Sequence, residues 1–120
     1  MPAGVTVRLL IDTGSGRSCL MPSVLAQLNP PLAGPVRLAT GAGSRDTSLF
    51  WVRLEFPGTA LGAILELAVA RLEMPPSLRS LQGLIGRDLL SRWESFLYQG
   101  RRGRLTIRDI PGGLFGWLWG

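Results

Sequence analysis

Leu9-Leu10-Ile11-Asp12-Thr13-Gly14-Ser15 is the stretch on which the fold turns. An apolar run delivers one carboxylate into a turn. Upstream, Val5 to Ile11 is β-branched and apolar apart from Arg8, which predicts a strand. Thr13 supplies a hydroxyl that can bond neighbouring backbone. Gly14 lets the chain approach a substrate or a second loop closely. Taken alone, Asp-Thr-Gly also fits an ordinary Asx-turn after a strand.

Working outward, Gly83-Leu84-Ile85-Gly86-Arg87-Asp88-Leu89-Leu90 reads as a short apolar strand running directly into a helix over Arg87 to Glu94. Leu89, Leu90 and Trp93 then share one helical face. Between the two signatures, Val36 to Ala39 predicts a strand leading to a hairpin tip at Gly41-Ala42-Gly43-Ser44. Phe50, Val52, Leu54 and Phe56 alternate with Trp51, Arg53 and Glu55, the period of a half-buried strand. Pro22 to Leu28 fits a short helix or a turn, closed by Asn29-Pro30-Pro31. Leu61 to Arg71 suits either a helix or a strand and is assigned as strand from its β surroundings. Phe96 to Tyr98 and Arg104 to Ile107 flank Gly100-Arg101-Arg102-Gly103 and predict a hairpin. The expected fold is all-β: a small closed β-barrel with one short helix near the C-terminus.

What the chain lacks narrows its chemistry. It has 120 residues and no His, which removes Ser-His and Cys-His triads and the commonest metal ligand. Cys19 is the sole cysteine, so neither an intrachain disulfide nor an ordinary zinc site is expected, and no cofactor or metal is implied. A hydrolase built from this set must use carboxylates, of which there are eight: Asp12, Asp46, Asp88, Asp109, Glu55, Glu66, Glu73 and Glu94. All basic residues are Arg and the net charge is +5; a nucleic-acid binder using Arg101-Arg102-Gly103-Arg104 is one reading, but scattered, solvated Arg fits better and no nucleic-acid partner is expected. No apolar stretch of about 18 to 20 residues is present and no signal peptide is evident, so a cytoplasmic location is expected. Residues 1–110 form the expected domain. The Gly- and Trp-rich tail of residues 111–120 is expected to pack on its own core or a twin subunit, with membrane-surface contact as the alternative.

The Asp-Thr-Gly turn, the Gly-containing hairpin and the Ile85-Gly86-Arg87-Asp88 segment, in this order, resemble the retropepsin-like aspartic proteases. That family includes the retroviral proteases and their cellular and bacterial relatives. The resemblance covers roughly Val5 to Ile107. It implies that Asp12 is the catalytic aspartate and that Thr13 bonds between two active-site loops. Gly14 and Ser15 would meet the substrate, and Ala39 to Ser48 would form a flap with Thr40, Gly41, Ala42 and Gly43 over the peptide. Ile85 would pack behind the catalytic loop and border the substrate. Retroviral relatives pair the helix arginine with an acid shortly after the triplet. Here those positions are Gly16 and Arg17, so Arg87 must find another acceptor.

Aspartic proteolysis needs two carboxylates about 3 Å apart that share one proton. This chain carries one Asp-Thr-Gly. Asp88, after a strand and at a helix start, suits a capping role better than that of a second catalytic acid. The expectation is therefore a homodimer with Asp12 from each subunit at the two-fold axis, hydrolysing peptide or protein substrates. The other reading is a non-catalytic peptide-binding or dimerisation module on the same fold.

Overall fold

The computed structural model describes residues 4–41 and 43–109. The tail of residues 111–120 and Ala42 of the expected hairpin tip lie outside the described residues. The protein is mostly β. Eight strands form among the described residues: β1 (Leu9–Ile11), β2 (Cys19–Leu20), β3 (Leu32–Thr40), β4 (Gly43–Leu54), β5 (Ile64–Arg71), β6 (Gly83–Ile85), β7 (Ser95–Gln99) and β8 (Arg104–Arg108). Helices α1 (Pro22–Leu28) and α2 (Arg87–Leu90) and a 3-10 turn (Pro76–Leu78) complete the described elements.

Six strands form one sheet in the order β1-β6-β2-β5-β4-β3, and β7 and β8 form a separate pair. The expected barrel does not close among the described residues. The sheet curls into half a barrel, with β1 and β3 left as edges. The expected single helix is also corrected. Pro22 fixes the backbone at the first position of α1, and Asn29 ends that helix in the left-handed region at φ 47°. α2 stops at Leu90 instead of continuing to Glu94, whose N–H already bonds the Arg108 carbonyl at 2.8 Å. That bond hands the chain over to the β7–β8 hairpin.

The period-two reading of β4 holds. Val52 is buried, and Phe50, Leu54 and Phe56 pack on the core. Trp51 points outward, and Arg53 Nη2 meets Glu55 Oε1 at 3.0 Å in solvent. Leu61 to Arg71 resolves as strand over β5, paired antiparallel to β4 with Val52 opposite Leu67. Leu20, Val24, Leu25, Val52, Leu67, Val69, Ile85, Leu89 and Trp93 form one buried cluster. Trp93 stacks edge-on to Phe56 with ring centroids 5.6 Å apart.

The position of β6 governs everything near Asp12. β6 lies between β1 and β2, parallel to β1 and antiparallel to β2. Residues 12–18, which join β1 to β2, must therefore arch over the C-terminal end of β6. Gly86 sits beneath that arch.

Candidate active site

Ile11 ends β1 opposite Ile85, and the Asp12 N–H donates to the Ile85 carbonyl at 2.9 Å. The carboxylate is thus fixed to the sheet at its root. Asp12 Oδ1 then accepts the Gly14 N–H at 2.9 Å, and the Ser15 N–H reaches the Asp12 carbonyl at 3.1 Å. This is an Asx-type turn, and it sets the direction of the carboxyl group. A Cβ on residue 14 would lie 3.2 Å from Asp12 Oδ1, so any larger residue would crowd the carboxylate. Ser15 Oγ donates to the Arg17 carbonyl at 2.8 Å and tightens the second half of the arch.

The arch is clamped from below by α2. The Arg87 N–H donates to the Ser15 carbonyl at 2.8 Å, and Arg87 Nη1 donates to the Thr13 carbonyl at 2.9 Å. The Arg87 side chain thus uses a backbone carbonyl as its acceptor. Asp88 does more than the expected capping. Its Oδ1 accepts the Leu89 N–H at 2.8 Å and the Ser18 hydroxyl at 2.7 Å, while Oδ2 accepts the Ser18 N–H at 2.9 Å. Ser18 Oγ in turn accepts the Gly86 N–H at 3.0 Å. Ser18 is buried, so these bonds satisfy groups that water cannot reach. Asp88→Ala is expected to cost about 2–4 kcal/mol, because it strands the Ser18 N–H and hydroxyl. Asp88→Asn keeps one acceptor oxygen and should cost less. Thermal melts of the two variants check the order, and an unchanged Asp88→Ala melt would remove the clamp from the account.

An open cavity of about 230 Å³ lies beside Asp12. Gly14, Ser15, Cys19, Leu72 and Leu84 line it from the sheet side, and Leu38, Ala39, Thr40 and Gly41 line it from the β3–β4 hairpin. Asp12, Gly14, Ser15, Thr40 and Gly41 are therefore brought together. Gly43 faces Thr40 across the hairpin, where Thr40 Oγ1 donates to the Gly43 carbonyl at 2.7 Å. Thr13 is exposed at the top of the arch, outside the cavity lining. Ile85 turns into the core and supports Asp12 from behind, while its neighbour Leu84 takes the lining position. Strand alternation carries that signal in the sequence, since adjacent residues of β6 face opposite sides.

Sequence reasoning gave no role to Cys19, Leu38 or Leu72 in this cavity. Cys19 opens β2 directly after the arch, and burial pushes its thiol from 9.0 up to about 11. The Asp88 carboxylate adds to the rise, Arg17 opposes it and Asp12 adds a little more. A raised thiol pKa holds the proton in the folded state. Stability from this group is complete below about pH 9 and is lost as pH rises towards about 11. At pH 8, alkylation of Cys19 in the native protein is expected to be at least about a hundredfold slower than in urea. Mass spectrometry of iodoacetamide-treated samples measures both rates, and equal rates would place the thiol in solvent.

No group of His, Cys, Asp and Glu suited to holding a metal ion occurs among the described residues. No helix among them is long and apolar enough to cross a membrane. Comparison with known protein families, curated proteins and solved structures finds no match for this chain.

Proposed function

We propose that the protein is a retropepsin-like aspartic endopeptidase, active as a homodimer with one Asp12 from each subunit. The observation that carries this reading is the arch itself. Asp12 is oriented by Gly14, rooted on Ile85 and opens into a cavity roofed by the β3–β4 hairpin. A single carboxylate in a cavity of this size is half of the required chemistry. Asp88, the other acid close to the arch, is committed to Ser18 and Leu89. A second copy of the chain is the economical source of the missing acid.

In this mechanism the two Asp12 carboxyls share one proton. The charged carboxylate takes a proton from a bound water, and the protonated one donates to the peptide carbonyl oxygen. The water oxygen attacks the carbonyl carbon and forms a neutral diol. Collapse breaks the C–N bond as the amine leaves with a proton, and no covalent enzyme intermediate forms. In this reading Thr13, which is exposed, bonds across to the twin loop. Leu38, Leu72 and Leu84 give the cavity an apolar wall that suits apolar side chains beside the scissile bond. The test is peptide cleavage by the purified chain against its Asp12→Asn variant, combined with titration of a hydroxyl-bearing, statine-type peptide.

A further inference from the structure

We propose that the cleft selects peptides carrying an Asp or Glu side chain near the scissile bond, and that Arg45 reads that carboxylate. The use of the cleft for peptides rests on the protease reading above, whereas the placement of Arg45 does not. The β3–β4 register sets Leu38 directly opposite Arg45. Directly opposed residues of an antiparallel pair share a face. Leu38 lines the cavity beside Asp12, and Arg45, just outside that lining, shares Leu38's face of the hairpin. The neighbouring pair, Arg37 opposite Asp46, takes the other face, where Arg37 Nε meets Asp46 Oδ1 at 2.9 Å. The hairpin's one acid, Asp46, is thus on the face opposite Leu38 and Arg45 and already paired.

Arg45 is exposed, and among the described residues it has no carboxylate partner. Two more arginines near the arch also lack a carboxylate partner among the described residues, but backbone carbonyls engage them. Arg87 donates to the Thr13 carbonyl, and Arg17 Nη1 donates to the Ala68 carbonyl at 3.4 Å. Asp12 is the one charged residue among the described residues lining the cavity. A catalytic pair sharing one proton is itself negative and repels an acidic peptide. Arg45 opposes that field and offers a planar fork that fits a carboxylate.

The experiment uses uncleavable peptides with a reduced scissile bond, in which a single Glu or its Gln counterpart is placed at each flanking position in turn. Fluorescence anisotropy on the full chain reads their affinities. At the position Arg45 reaches, the Glu peptide should bind about fivefold tighter than the Gln peptide. That preference should fall to near unity in Arg45→Gln and at high ionic strength. It should persist in Arg104→Gln, whose side chain lies on β8. With cleavable versions, the loss in Arg45→Gln should appear in KM and leave kcat in place. Equal binding of Glu and Gln peptides by the natural chain overturns the proposal. So does a preference that survives in Arg45→Gln, or a failure of every peptide to bind. A Glu preference that depends on Arg45 in a chain that cleaves nothing upholds the acid-reading cleft and removes the protease reading.

Discussion

Asp12→Asn is expected to lower peptide cleavage by at least about 10³- to 10⁴-fold while leaving the fold and the dimer in place. The size follows from symmetry. In the proposed homodimer one substitution in the gene removes both members of the pair, so neither the base that activates water nor the acid that protonates the carbonyl remains. Retention of the fold follows from the geometry of the turn. Asp12 Oδ1 serves as acceptor for the Gly14 N–H, and the amide oxygen of Asn can accept the same bond. The Asp12 N–H bond to Ile85 is made by backbone and is indifferent to the side chain. Asp12→Ala would discard the Gly14 bond and mix a structural loss with a chemical one. Asn is therefore the informative replacement.

The measurement has two arms. Cleavage kinetics of the natural chain and the variant give the loss of activity, and a statine-type peptide gives the loss of affinity. The hydroxyl of such a ligand takes the place of the attacking water between the two carboxyls. Its tight binding should vanish with Asp12→Asn. Full cleavage by the variant would transfer the chemistry to another residue. Binding of ordinary peptides by both proteins with no cleavage by either would leave a peptide-binding module on this fold.

Much of this arrangement is legible in the sequence because it is local. The alternation from Phe50 to Phe56 specifies a strand with one face buried, and Asp12-Thr13-Gly14 specifies its own turn through a bond two residues long. The hairpin from Phe96 to Ile107 announces itself through Gly100 and Gly103. What was not legible depends on partners distant in the chain. β1 shortens to Leu9–Ile11 because β6 offers it only Gly83 to Ile85. β3 and β4 run longer than their apolar patterns because they pair with each other out to Thr40 and Gly43. The exchange of Ile85 for Leu84 at the cavity reflects which face of β6 meets the core. Arg87 in the sequence implies only that a cation needs an acceptor. That the acceptor is the Thr13 carbonyl depends on how the arch crosses β6.

Gly86→Ala is expected to destabilise the protein by about 3 kcal/mol or more, roughly 10 °C or more in Tm. The reason is packing and not backbone conformation, since Gly86 has φ −102° and ψ −173°, which any residue can adopt. A Cβ there would lie 2.8 Å from the Arg17 carbonyl carbon, 2.8 Å from the Ser15 oxygen and 2.9 Å from the Arg17 nitrogen. All three atoms are backbone, so no side chain can swing aside. The arch must rise to admit one methyl group. Rising stretches the Arg87 N–H bond to Ser15 and the Gly86 N–H bond to Ser18 Oγ, and through them it moves the loop that carries Asp12. Stability and cleavage should therefore fall together. Gly83→Ala meets a similar backbone obstacle at the other end of β6, where its Cβ would strike the Cys19 carbonyl. Gly4→Ala is the control, because nothing lies within 4 Å of a Cβ at that position. Thermal melts should separate the first two variants from the third by several degrees. If Gly86→Ala melts with the natural chain, the arch does not rest on β6 as described. If it loses stability yet cleaves at the natural rate, the arch can shift without moving Asp12, and the link between this packing and the chemistry fails.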